Sequence, residues 1–240
     1  MADKIETFKR RIAELRRDLV AQGVVTREMT ESAFDAIFAR DLEEARRVIS
    51  RDDEVDRVDL AIEQSAVDIL ADIARSECDL GSGPIREVLV CVKVNNELER
   101  IADAATTVAE RIIELADRTT PFPETARVIT NSVVGILRDA VVCFERFDAE
   151  RAKVVLRCEG TVLKFAESTA RAAEERVASG SMPAEVAFHL HAIVHQCEVI
   201  ADHCTNIAEQ VIYAATGVVV RHTGGAWVEL PTSKPTLDGD

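Results

Sequence analysis

A string of fifteen residues occurs twice in this chain, at a constant offset of 99 residues. The copies begin at Glu99 and Glu198 and share eight identical positions, in the order Glu, Ile, Ala, Asp, Thr, Ala, Glu and Ile. Similarity at a fixed offset marks a duplicated structural unit. The repeat therefore predicts a chain built from two similar halves of roughly equal size.

The composition favours packed helices in both halves. Of the 240 residues, 47% are hydrophobic, only 4% are aromatic, and Gly and Pro are few. That balance is typical of helices rather than β-sandwiches or disordered tails, and either half is long enough to bury a core. The net charge of −14 disfavours nucleic acid, whose phosphates require Lys and Arg, and suits metal cations or a basic partner.

Apolar residues recur with the helical period in six segments, separated by short breaks that contain Gly or Pro. The predicted helices cover residues 3–40, 41–77, 84–117, 124–147, 149–177 and 184–216. Gly23 is a point where the first helix is expected to kink or be interrupted. Two sets of three helices joined by short loops predict an all-α fold of two tandem antiparallel three-helix bundles.

The loops and the repeat divide the chain into three parts. The first bundle is placed at residues 1–118, the second at 119–218, and a loosely held C-terminal tail at 219–240. The tail contains two prolines and little periodicity, so we expect it to lack regular structure.

Neither end of the sequence resembles a targeting segment, and no apolar run approaches the length of about 20 residues that spans a bilayer. We therefore expect a soluble, cytosolic protein. The sequence contains no Cys-x-x-Cys motif, so we expect most cysteines to be buried reduced thiols. They are Cys78, Cys91, Cys143, Cys158, Cys197 and Cys204.

Each copy of the repeat places a Glu and an Asp four residues apart. Glu99 and Asp103 therefore share one helix face, as do Glu198 and Asp202. Two like charges at that spacing repel unless a cation relieves them. For a lone pair, a solvated helix face is the favoured explanation, so a metal site requires further ligands nearby.

The second predicted helix carries a stripe of four acids at spacings of four, three and four residues. These are Asp52, Asp56, Asp59 and Glu63. They fall within about 60° of arc. If this face meets the Glu99/Asp103 face, six carboxylates converge, as in the carboxylate metal sites of helical bundles. The alternative is an acidic stripe that faces water.

The second half departs from this pattern. Glu159 corresponds to Asp52, but the other three acids are replaced by Leu163, Ala166 and Ala170. The last helix instead carries a row of ligand types on one face, namely His191, His195, Glu198 and Asp202. Imidazole beside carboxylate suits a transition metal. The candidate ligands of a second site are Glu159, His195, Glu198 and Asp202. Packing along a partly buried helix interface explains His195 equally well and is the simpler explanation for His191.

These strings resemble the PhoU family of phosphate-transport accessory regulators. The resemblance extends from about residue 5 to 225 and rests on residues 98–103, 198–203, 206–209, 213–217, 221–222 and 224–225. It implies two three-helix bundles related by pseudo-twofold symmetry, with metal-binding E(D)-x-x-x-D motifs. The motif falls on Asp52/Asp56, Glu99/Asp103 and Glu198/Asp202 and fails at Leu163.

The resemblance also implies a function and partners. Members of this family are negative regulators of the phosphate-starvation response and act between a phosphate ABC transporter and a membrane sensor histidine kinase. The expected partners are therefore the transporter ATPase and that kinase, with the protein peripheral to the membrane and dimeric. The expected cofactors are divalent or trivalent metal ions such as iron, manganese, magnesium or zinc, with no organic cofactor.

The sequence contains no Gly-rich phosphate loop, no nucleophile with a base and no cofactor fingerprint, which favours a non-enzymatic regulator. The alternative is a carboxylate-bridged metal enzyme of the di-iron or hydrolytic type. Ferritin-like di-iron sites use Glu-x-x-His, and the nearest arrangement here is the reverse, His195-Gln-Cys-Glu198. A metal-free helical protein with surface acids is the third alternative.

Overall fold

The computed structural model describes residues 2–76, 80–223 and 226–230. These residues form α1 (Ala2–Ala39), α2 (Leu42–Ser50), α3 (Asp52–Arg75), α4 (Ser82–Glu114), α5 (Glu124–Arg146), α6 (Ala149–Ala178), α7 (Ala184–Thr216), β1 (Val219–Thr223) and β2 (Ala226–Leu230). The predicted all-α fold of two helical sets is confirmed. Within the described ranges, no helix is both long and apolar enough to cross a lipid bilayer.

The helix α1 continues without interruption through Gly23, although glycine weakens a helix interior. Here α1 packs against α4 and α5. A Cβ atom at residue 23 would lie 3.1 Å from Cγ2 of Val141 and 3.6 Å from Cδ1 of Leu98. The missing side chain therefore allows α1 to approach α5, which belongs to the other half.

The prediction of one helix over residues 41–77 is wrong, because the chain leaves the helix at Arg51 and starts a new one. The apolar period continues across the break, since Val48 and Val55 are both buried, and periodicity alone does not reveal it. Acidic side chains are favourable at the positive end of a helix dipole. The break places three acids in the first turn of α3, namely Asp52, Asp53 and Glu54.

The helices α4 and α7 pack against each other and join the two halves. Both helices bury many apolar side chains, among them Leu98 and Ile101 of α4 and Ile200 and Cys204 of α7. The buried side chains of the described residues form one cluster that extends through both halves. The sequence predicts a division of the chain into two bundles at residue 118. Whether these two parts are separate folding units stays a prediction.

The prediction of a tail without regular structure is wrong for residues 219–223 and 226–230, which form strands. The strands β1 and β2 form an antiparallel hairpin in which Val219 lies opposite Leu230. The hairpin is attached to α7, because Val220 is buried in the core and Arg221 Nη1 donates a hydrogen bond to Glu209 Oε2 at 2.7 Å. Residues 231–240 lie outside the described part of the chain.

The cysteines of the described residues are free thiols, as predicted, and Cys78 lies outside those residues. Burial raises the pKa of the Cys91 and Cys143 thiols to about 12. Both therefore stay protonated at neutral pH, because a thiolate would lose its hydration in the core. Burial also raises the pKa of Cys197 and Cys204.

The close approach at Gly23 predicts an unequal response to the same substitution at two helical glycines. Gly23→Leu should lower the free energy of unfolding by about 1–3 kcal/mol, because the new side chain collides with Val141. A Cβ atom at Gly160 in α6 meets no atom within 4 Å. Gly160→Leu should therefore raise stability by up to about 1 kcal/mol, since it removes a helical glycine. Equilibrium unfolding in urea measures both, and equal effects would contradict the packing described.

Candidate functional site

Two hydrogen bonds set the acidic face of α3 against α4. Thr106 Oγ1 donates to Asp52 Oδ1 at 3.2 Å, and Asn95 Nδ2 donates to Asp59 Oδ1 at 2.7 Å. Asn95 also donates to the backbone carbonyl of Asp59 at 3.0 Å and is only 1% exposed. The two bonds fix an antiparallel register between the helices, because the lower-numbered residue of α3 pairs with the higher-numbered residue of α4.

The repeat acids Glu99 and Asp103 lie on α4 between the two residues that donate these bonds, and on the same helix face. They therefore face the acidic stripe of α3. We call this arrangement the first-half acidic site, and its members are Asp52, Asp56, Asp59, Glu63, Glu99 and Asp103. Asp56 and Asp103 are exposed, and the other members are half-buried.

The acids of this site perturb one another. Burial, followed by the charges of Asp103 and Asp59, raises the pKa of Glu99 to about 7. Burial and the charge of Asp103 raise the pKa of Asp52, and burial and the charge of Glu63 raise the pKa of Asp59. Loss of hydration on burial is the larger physical cause and repulsion between neighbouring acids adds to it, because both effects disfavour the charged carboxylate.

The carboxylates lie along two facing helices and do not surround one point. In the described ranges, no three His, Cys, Asp or Glu side chains are gathered in a group that could hold a metal ion. The first-half acidic site therefore brings the predicted ligand types together without enclosing a cation. Their function as metal ligands stays a prediction.

The second half arranges its candidate ligands differently. Glu159 of α6 and Asp202 of α7 line one groove of about 570 Å³, together with Lys93 and Arg100 of α4. His195 and Glu198 are not among the residues that line it. Their side chains form a pair within α7, with Nδ1 and Oε2 separated by 3.6 Å.

Two other predicted positions of the second half point away from a metal site. Leu163, which replaces an acid of the first half, is 44% exposed. His191 lines an apolar cavity of about 430 Å³ between α6 and α7, apart from the groove that contains Asp202. No one cavity described here therefore contains all four ligand types of the row on α7.

A polar network between the halves was not predicted from the sequence. Glu97 Oε2 on α4 lies 2.7 Å from Nδ1 of His203 and accepts a hydrogen bond of 3.1 Å from Nδ2 of Asn206, both on α7. His203 is only 8% exposed. The repeat contained one signal of this contact, because His203 replaces the apolar Ala104 of the first copy.

Comparison with known families and sequences gives one consistent result. Residues 19–112 and 127–211 match the sequence model of the PhoU domain. The chain is 26% identical over 219 residues to phosphate-specific transport system accessory protein PhoU homolog 1 of Thermotoga maritima, covering 90% of this chain and 92% of the relative. It is 29% identical over 222 residues to the PhoU homolog of Pseudomonas putida, covering 91% and 84% of the two chains.

Solved structures agree with the sequence comparisons. The crystal structure of PhoU from Pseudomonas aeruginosa superposes with a TM-score of 0.81 at 27% identity, covering 88% of this chain and 99% of that one. The structure of the phosphate transport system regulatory protein PhoU from Streptococcus pneumoniae gives the same TM-score at 20% identity. At that identity the second likeness shows the fold alone.

The raised pKa of Glu99 predicts how the stability of the protein depends on pH after a chelator has removed any bound metal. The native state holds the Glu99 proton more tightly than the unfolded chain, whose carboxyl titrates near 4.5. The free energy of unfolding should therefore fall as the pH rises from about 4.5 to about 7. Glu99→Gln should make this fall smaller, as measured by urea unfolding at pH 5 and pH 7.

The matched control is Glu167→Gln, which changes an exposed carboxylate on α6. It should leave the difference between pH 5 and pH 7 as it is in the unmodified protein. If the two variants gave the same pH profile, the repulsion described for Glu99 would be contradicted.

Proposed function

Because this chain belongs to the PhoU family, we propose that it regulates phosphate transport as an accessory protein of a phosphate-specific transport system. The observation that carries this proposal is the likeness to PhoU accessory proteins along almost the entire chain, with 90% of this chain and 92% of one relative aligned. A likeness of that extent includes both halves and the contact between them. A shared function of the whole protein is therefore supported better than the reuse of one domain.

The proposed regulation is negative and takes place at the cytoplasmic face of the membrane. The partners are the transporter ATPase and a membrane sensor histidine kinase, to which the protein binds as a peripheral dimer. The net charge of −14 supports partners that present a basic surface. A metal-dependent enzyme is the alternative, and turnover of a phosphoester or oxygen by metal-loaded protein would favour it.

The first-half acidic site supports a further part of the proposal, which is that it binds metal ions. Its donors are all carboxylate oxygens, the ligand type that suits magnesium, manganese and iron. Burial and the charges of neighbouring acids raise the pKa of Glu99, so part of this shift comes from carboxylates that no cation balances. A cation between the facing rows would relieve this repulsion and favour the charged forms.

A second metal site is proposed in the other half, with fewer carboxylates. Its ligands would come from Glu159, His195, Glu198 and Asp202. Mixed imidazole and carboxylate ligands favour a transition metal such as iron or zinc over magnesium. Because Glu159 and Asp202 line one groove while His195 pairs with Glu198, weaker occupancy than in the first half is expected.

Metal binding by the first-half acidic site is tested with a double variant. Asp56→Ala combined with Asp103→Ala removes one carboxylate from each facing helix, so bound metal should fall by the content of the first site. Elemental analysis of protein purified without chelator and without nickel affinity resin gives the metal content per chain.

The matched control removes two exposed acids of α3 that lie off the stripe, Asp53→Ala combined with Asp68→Ala. It makes the same change in net charge and should leave the metal content unchanged. The proposed site would be refuted by a metal content that the Asp56/Asp103 variant does not alter.

The regulatory proposal is tested in cells and with purified partners. The tagged protein should capture the transporter ATPase or the sensor kinase at low salt, because an acidic surface binds a basic one most strongly there. Deletion of its gene should raise phosphate uptake in phosphate-rich medium, as measured with labelled phosphate. Absence of capture together with normal uptake in the deletion strain would exclude this function.

A further inference from the structure

A groove of about 540 Å³ lies between the end of α1, the connection of the two halves and the start of α5. The residues that matter here are Phe38, Arg40, Pro121, Phe122, Pro123 and Arg127, and we call it the arginine groove. None of its residues belongs to either candidate metal site. Its volume lies within the range of about 300–1,000 Å³ that is usual for small-molecule sites.

Each arginine of the groove stacks on an aromatic ring. The Cζ atom of Arg127 lies 4.1 Å from the ring centroid of Phe38, and that of Arg40 lies 5.0 Å from the ring centroid of Phe122. Stacking engages the flat face of a guanidinium and leaves N–H groups at its edge free to donate. Arg40 uses one of them for the carbonyl oxygen of Thr120, at 2.9 Å.

The two guanidinium groups have no ion-pair partner in the described part of the chain, where no Asp or Glu oxygen approaches either within 4.0 Å. Arg40 is half-buried, which lowers its pKa, whereas Arg127 is exposed. Both stay charged, because a guanidinium is not deprotonated in proteins. A partly desolvated cation without a counter-ion is electrostatically unsatisfied. An anion in the groove would supply the missing charge.

The surroundings of the groove are basic although the protein as a whole is acidic. Arg176 Nη1 donates to the carbonyl oxygen of Pro121 at 2.9 Å, which adds a third cation beside the connection. Glu124 is the acid that lines the groove. Local positive charge of this kind attracts anions that a net charge of −14 would otherwise repel.

Apart from Glu124 and Asn131, the remaining walls of the groove are apolar. Two prolines fix the backbone on either side of Phe122, and Val128, which also lines the groove, is 43% exposed. Aromatic, proline and aliphatic surfaces suit a flat apolar body, and guanidinium groups suit a phosphate through paired N–H donors. We propose that the arginine groove binds a nucleotide, with the phosphate at Arg40 and Arg127 and the base against the apolar walls.

The proposal is tested by isothermal titration calorimetry. The full-length protein, from which a chelator has removed metal, is titrated with AMP, adenosine and inorganic phosphate. AMP is the main probe because a monophosphate binds divalent cations weakly. It should bind at least tenfold more tightly than adenosine or inorganic phosphate, since only AMP uses both parts of the groove. Because the titration uses metal-free protein, its result is independent of the metal site and of the regulatory partners.

Three variants separate the proposed site from unspecific binding. Arg127→Gln should weaken AMP binding about tenfold or more, since it removes a charged donor. Glu124→Gln should strengthen binding, because it removes the one acid that lines the groove. Arg118→Gln is the control, because Arg118 is paired with Glu185 and lies outside the groove, and it should leave binding unchanged. Thermal unfolding without ligand verifies that each variant folds.

Three results would overturn the proposal. The first is no measurable heat with AMP at millimolar concentration. The second is equal affinity for AMP and inorganic phosphate, which would indicate an anion site without a base-binding wall. The third is a folded Arg127→Gln variant that binds AMP as well as the unmodified protein does.

Discussion

The contact between α4 and α7 is the constraint on which the other features of this molecule depend. Both helices bury many apolar side chains in the common core, and burial of apolar surface is the main favourable term in folding. Glu97 adds a polar link at this contact through His203 and Asn206. A carboxylate that is partly buried needs such partners, because losing water without replacing its hydrogen bonds is costly.

Because one face of α4 packs against α7, the opposite face is available to pack against α3. Glu97 lies about 200° around the helix from Asn95, so one helix carries the link to α7 on one side and Asn95, Glu99 and Asp103 on the other. The acids of α3 and α4 are therefore held near one another at the expense of local stability, as the raised pKa of Glu99 records. Arrangements that are unfavourable in isolation are expected where a protein binds something.

Much of the fold could be predicted from the sequence, because a helix that buries one face repeats its apolar residues with a period of 3.6. The same period placed the acids on one face of each helix, but it did not show that the two faces meet. The break at Arg51 did not, because buried Val48 and Val55 keep the apolar period across it. The hairpin was missed because two five-residue strands are too short for a pattern. Contacts between distant residues, such as Glu97 with His203, have no local signal, and the arginine groove is assembled from two stretches far apart in the sequence, residues 37–40 and 121–131.

The buried thiols of this protein can be chemically modified only when the helices that carry them move apart from the core. Only the thiolate reacts readily with electrophiles and oxidants, and the core suppresses that form at Cys91 in α4 and at Cys143 in α5. Modification therefore requires that the helix carrying the sulfur first separates from its neighbours. Since these two sulfurs belong to opposite halves of the duplicated chain, the rate at which each is alkylated would report how often its own half opens.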